Sequence, residues 1–155
     1  MLNSKGFTLI ELIIVIVILG ILASTAVPKF INFEADARTA VLQSVKSSME
    51  AVTALVHGKS LIKGNQNQAS DIVTLQDGSS VSIEYGYPSE DVGQWSTLLN
   101  LGEDFTIVSG IAGGVFYIYF KGDHFPFPDG SEDCLLSYIP ATSSQKYTIK
   151  FNECT

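Results

Sequence analysis

"KGFTLIELIIVIVILGILASTAVPKF", Lys5 to Phe30, decides how this chain is built. From Phe7 to Val27 the only formal charge is Glu11. At about 1.5 Å per residue this run forms a helix of roughly 32 Å, close to the hydrocarbon thickness of a bilayer. Lys5 precedes it and Lys29 follows it closely, so flanking charge gives only a weak orientation signal, placing the carboxyl-terminal bulk outside the cytoplasm. A secretory signal cut after Ala26, with Ser24 and Ala26 as the small residues, would release a soluble domain. A plain signal anchor would keep it tethered. Neither reading explains Glu11, because a carboxylate at the centre of a membrane helix costs about 2.5 to 3.5 kcal/mol.

The residues "KGFTLIEL", Lys5 to Leu12, resemble the processing motif of type IV pilins and pseudopilins. The shared pattern is a short leader ending in Gly, then Phe, an apolar run, and Glu five positions after the Gly. The resemblance implies a leader Met1 to Gly6, as short as in the type IVa class. It also implies cleavage between Gly6 and Phe7 by a membrane-embedded prepilin peptidase, and N-methylation of Phe7. On this reading Glu11 is an assembly contact. It lies early in the mature helix, where the helix dipole favours an anion, and the resemblance implies pairing with the methylated amine of a neighbouring subunit's Phe7. Further partners so implied are identical subunits in a helical filament, the pilus assembly machinery and the inner membrane, where the subunit is stored before export to an extracellular pilus.

Beyond Val27 the helix continues, because Pro28 kinks rather than stops it and the apolar spacing changes without ending. Ala37, Val41, Val45, Met49, Val52 and Val56 follow steps of three and four, with Asp36, Gln43, Lys46, Glu50 and His57 opposite. This is the pattern of an amphipathic helix covering a domain, ended by Gly58 or Gly64. Such a helix, from Phe7 to about Leu61, is roughly 80 Å long and nearly half of it protrudes. Gly20 and Pro28 match positions between which pilin filaments loosen the helix; Gly costs about 1 kcal/mol relative to Ala in a helix interior and Pro removes a hydrogen bond.

After the polar stretch Gly64 to Asp71, strands are expected at Ile72 to Leu75 and Val81 to Tyr85, with Asp77-Gly78 as the hairpin signal. Ser89 is expected to cap a short helix with acids in its first turn, and Trp95 to sit in the core. Phe105 to Ser109, Val115 to Lys121, Leu135 to Ile139 and Tyr147 to Phe151 read as further strands. The fold class is therefore α+β, a long N-terminal helix packed on an antiparallel sheet, as in the type IV pilin fold. Its expected parts are a leader (1–6), a membrane and filament-core helix (7–27), an amphipathic helix half (28–63) and a β-rich head (64–155).

Cys134 and Cys154 are the only cysteines, and an exported chain meets an oxidising compartment where such a pair closes. One disulfide is expected, closing a loop of about 20 residues worth around 3 kcal/mol in the chain-entropy model. No Cys or His cluster completes a zinc set, and neither a metal nor a cofactor is expected. Asp123, Asp129, Glu132 and Asp133 lack EF-hand spacing and read as a solvated acidic turn, with calcium left open. His57 and His124 join no nucleophile arrangement, "SGIAGG", Ser109 to Gly114, lacks the residues of a phosphate loop, and no enzymatic activity is expected. A net charge of -7 with nine scattered Lys and Arg argues against broad nucleic-acid binding.

The helix sequence from Pro28 to Ile62, together with the late cysteine pair, is most similar to major pilins of the mannose-sensitive haemagglutinin kind. That resemblance implies a surface fibre for adhesion and attachment. The type II secretion pseudopilins share the leader and helix, but their major members typically have a calcium loop and lack the terminal disulfide.

Overall fold

The computed structural model describes residues 7–110, 113–123 and 133–155, and of 26–32 the backbone alone. One helix, α1 (Leu9–Lys63), leads the chain and runs unbroken through Gly20 and Pro28. The chain divides into two units, one ending at Ala37 and one running from Arg38 to Thr155. Among the described residues of the second unit seven strands and a short helix follow: β1 (Asp71–Thr74), β2 (Ser80–Glu84), β3 (Tyr87–Pro88), α2 (Val92–Leu99), β4 (Phe105–Ser109), β5 (Phe116–Phe120), β6 (Leu135–Ile139) and β7 (Thr148–Asn152). The strands make two antiparallel sheets, β1-β2-β3 and β4-β5-β6-β7, each a meander in chain order. The architecture is α+β, with a two-residue strand, β3, that the sequence did not announce.

Within the second unit α1 buries Leu42, Val45, Met49 and Val56, a stripe in steps of three, four and seven. Val41, expected on that face, is 45% exposed while Leu42 is fully buried, so the stripe lies one residue round from the expected start. Thr53 joins the buried face at no hydrogen-bonding cost because its hydroxyl donates to the Met49 carbonyl at 2.7 Å. Gly64 ends the helix with φ +77°, and its N–H and that of Asn65 both donate to the Ser60 carbonyl. Gly58 stays inside the helix. Beyond that end, Asp71 accepts from Asn65, the Ile72 N–H and Lys63; these bonds, led by Asn65, hold its carboxyl below the usual range.

The main core gathers Leu42, Val45 and Met49 with Trp95, Phe116, Ile118, Leu136 and Tyr138. A second cluster, Val56, Val73, Val81 and Ile83, joins the end of α1 to the first sheet. Trp95 is fully buried, and its indole N–H donates to the Ser89 carbonyl at 2.8 Å. Tyr138 likewise donates its hydroxyl to the Pro88 carbonyl at 2.6 Å. These two bonds satisfy consecutive carbonyls of the segment entering α2. Burial is the main reason the Tyr138 phenol stays protonated well above its ordinary range.

Ser89 is therefore not the cap of α2. Asp91 is, its carboxylate accepting the Gln94 N–H at 3.0 Å, and the first turn holds no acid. The helix starts later than expected because Ser89 and its neighbours are held by the first sheet, with the Ser89 N–H donating to the Ser82 carbonyl. Glu84, half-buried on β2, has its carboxyl pushed up, first by burial and then by the charge of Glu90. A carboxyl raised on folding favours the fold when protonated, and that contribution is lost as pH rises through its folded value. Glu84→Gln is therefore expected to melt above the parent chain at neutral pH, with the difference shrinking in acid, as read by thermal melts across pH.

Candidate assembly site

The first turn of α1 shows how Glu11 is held. Its Oε2 accepts both the backbone N–H of Thr8 at 3.0 Å and the Thr8 hydroxyl at 2.7 Å. In return the Glu11 N–H points to Thr8 Oγ1 at 3.3 Å, and the Leu12 N–H reaches the Thr8 carbonyl. This is a reciprocal capping box, which meets donors that a helix start leaves without partners. The signal lies in "TLIE", Thr8 to Glu11, whose Thr-x-x-Glu spacing names the box. Both bonds from Thr8 fall on one oxygen, so the box fixes the carboxylate's position at the edge of the apolar run. Thr8→Val is expected to lose about 1 kcal/mol of capping. Faster amide exchange over residues 9–12 in detergent, read by mass spectrometry, checks this.

Around that acid every apolar side chain is bare. Phe7 is 78% exposed, and the series from Leu9 to Leu22 is exposed throughout. The two hydroxyls near its end are tied to the helix itself, Ser24 to the Ile21 carbonyl at 2.8 Å and Thr25 to the Leu22 carbonyl at 3.0 Å, so they add little polarity. Among the described residues no helix is long and apolar enough to cross a membrane. Leu9 to Thr25, the part with described side chains, makes roughly 25 Å against a hydrocarbon core of about 30 Å. At Gly20 the helix has open space on the side a Cβ would occupy. Gly6, on the leader side of the expected cut, lies outside the described residues, and of Pro28 only the backbone is described.

Cys134 and Cys154 form the disulfide, 20 residues apart. It is part of a wider clasp. The Cys134 N–H donates to the Glu153 carbonyl at 3.0 Å, and the Cys154 N–H donates to the Thr39 hydroxyl on α1 at 3.0 Å. Thr155 adds a bond to the Asp133 carboxylate at 2.6 Å. The chain's end is thus fastened to β6 and to the helix together.

The remaining candidates separate. His57 hydrogen-bonds the Gly86 carbonyl through Nδ1 and stacks on Tyr87 with ring centroids 4.2 Å apart, a packing role. His124, Asp129 and Glu132 lie outside the described residues, as do positions 111 and 112 of the glycine-rich turn between β4 and β5. Asp123 pairs with Arg38, whose guanidinium also sits 4.5 Å from the Phe120 ring centroid.

A helix-led α+β chain whose first turns present only apolar side chains around one capped acid defines a class of subunit that other molecules must cover. Residues 1–27 match the family described as the prokaryotic N-terminal methylation motif. A fimbrial protein of Pseudomonas aeruginosa is 31% identical over 154 residues, covering 93% of each chain. The type IV major fimbrial protein FimA of Dichelobacter nodosus is 32% identical over 105 residues, 58% of this chain and 67% of that one. The type IV major pilin protein PilA of Myxococcus xanthus is 56% identical over 36 residues, 23% of this chain and 16% of that one. No solved structure matched. The chain belongs to the type IV pilin family. It is a structural subunit of extracellular pili and not an enzyme, and neither a pseudopilin nor a released soluble domain is favoured.

Proposed function

We propose that this pilin is stored in the inner membrane through the segment 7–27, cut after Gly6 by prepilin peptidase, methylated at Phe7 and drawn by the assembly machinery into a helical filament of identical subunits. The observation that carries this reading is the bare apolar surface from Phe7 to Leu22 with Glu11 as its single acid. So much exposed apolar area is unfavourable in water at about 25 cal/mol per Å², which a lipid phase or a filament core relieves in turn. In the filament Glu11 pairs with the methylated amine of a neighbour's Phe7, and the helix loosens between Gly20 and Pro28. The head, 64–155, then faces outward with its disulfide clasp and serves attachment; the mannose-sensitive haemagglutinin kind is the subtype suggested by the resemblance of the helix and cysteine pair.

Electron microscopy of fibres sheared from cells, with this subunit identified in them by mass spectrometry, tests the reading. Strong exchange protection of the amides from Gly20 to Pro28 in those fibres would sink the loosening of the helix and leave the rest standing.

A further inference from the structure

We propose that the subunit binds a second copy of itself head to tail: the end of one copy's α1, at Leu55, Lys59 and Ile62, docks into a cleft that Val41, Phe105 and Phe120 line on the next copy. This docking rests on the proposed filament and adds which surfaces of neighbouring subunits meet in it. Both surfaces belong to the second unit.

The donor surface is a bare flank of α1. Beside the buried stripe, Val41, Ser44, Ser48, Ala51, Leu55 and Ile62 follow steps of three, four and seven, and all six are exposed, Ile62 at 86%. A helix flank facing only water normally mixes in charges, yet the single charge along this one is Lys59. Lys46 and Glu50 pair on the opposite flank instead.

The acceptor surface is a cleft of about 510 Å³ at the other end of that flank. Its floor is apolar and already ordered: the Phe105 and Phe120 rings stack with centroids 5.0 Å apart, and Val41 lines the same cleft. Its rim is charged. Arg38 is taken by Asp123, which leaves Glu103 and Asp104 against Lys121. Among the described residues neither Glu103, Asp104 nor Lys59 has an ion-pair partner. An apolar floor beside an excess of negative charge suits an apolar side chain accompanied by a cation, and Ile62 with Lys59 is that combination.

The spacing of the two surfaces sets how copies would repeat. Val41 and Ile62 lie on one unbroken helix, roughly 32 Å apart along its axis and about 60° around it. A copy set alongside and shifted by that length brings its Ile62 level with the first copy's Val41, and leaves its own cleft open for the next. A contact between two different patches does not close on itself in a pair, so it propagates into an open filament.

The test uses fibres that cells assemble from the full chain. Val41→Cys with Ile62→Cys is expected to give a ladder of dimers, trimers and longer species on non-reducing gels of sheared fibres. Within one chain these positions lie far beyond the roughly 7 Å that a disulfide spans, so every link joins two copies. Each single variant is expected to stay unlinked, because a head-to-tail contact does not bring a residue against itself. Lys59→Glu, and Glu103→Lys with Asp104→Lys, are each expected to cut fibre yield about fivefold or more, and combining the three is expected to restore it. All should melt within about 2 °C of the parent, as surface changes do, so lost yield reads as lost docking. Parent fibres with no ladder in the double cysteine variant, dimers from Ile62→Cys alone, or a charge combination that restores nothing would overturn the docking and leave the pilus reading standing. A parent chain that makes no fibres would overturn both.

Discussion

Glu11→Ala is expected to be cut after Gly6 and methylated at Phe7 like the parent chain, yet to yield at least about tenfold fewer fibres. In the proposed pathway the peptidase meets the Gly6–Phe7 bond before any filament exists, so the acid's loss is expected to leave that step alone. In the proposed filament each Glu11 faces a neighbour's amine in apolar surroundings. Removing one partner of a buried pair leaves a charge uncompensated, typically at about 3 to 5 kcal/mol, and each 1.4 kcal/mol is a factor of ten in an equilibrium constant. The capping box adds a second, smaller loss, because the Thr8 N–H and hydroxyl both lose their acceptor. Glu11→Gln separates the two: its amide oxygen can still accept from Thr8 but does not balance a charge. Fibre yield close to the parent's in Glu11→Ala, measured on sheared material, would count against the assembly role.

The second large effect is the loss of the Cys134–Cys154 bond. Cys134→Ser with Cys154→Ser is expected to destabilise the second unit by about 3 kcal/mol, the chain-entropy value for a loop of this size, or a melting point lower by roughly 10 °C. The loop closed here spans β6, β7 and the turn between them, so freeing it loosens the edge of the four-stranded sheet. The hydrogen bond from the Cys154 N–H to Thr39 is tied to that clasp and should fray with it, seen as faster exchange of the 152–155 amides. Melting within a degree or two of the parent would mean that the backbone bonds alone hold the tail.

Much of this was legible in the sequence, because the strongest features are local. The strands Phe105–Ser109 and Leu135–Ile139 begin and end where the sequence places them, and β7 alternates, with Ile149 and Phe151 more covered than Thr148 and Lys150. Gly64 rather than Gly58 ends α1, a choice that depends on which glycine takes a positive φ and not on composition. What stayed hidden depends on tertiary contact. The cap moved from Ser89 to Asp91 because β2 claims the Ser89 backbone. Leu42 replaced Val41 in the core because the helix presents a slightly different face to the sheet than its first apolar residues suggest. The turn at Tyr85-Gly86 was missed because no rule of turn chemistry puts Tyr at a position with φ above zero. At the amino terminus the Thr8–Glu11 spacing carries the capping box, a local signal as legible as the acid itself.

In the proposed pathway the apolar segment beginning at Phe7 stays with the subunit into the fibre, with Glu11 inside it. Mass spectrometry of the amino-terminal peptide from sheared fibres tests this most directly. The expected peptide begins at N-methylated Phe7 and contains Glu11; a mature chain beginning at Val27 would contradict the account.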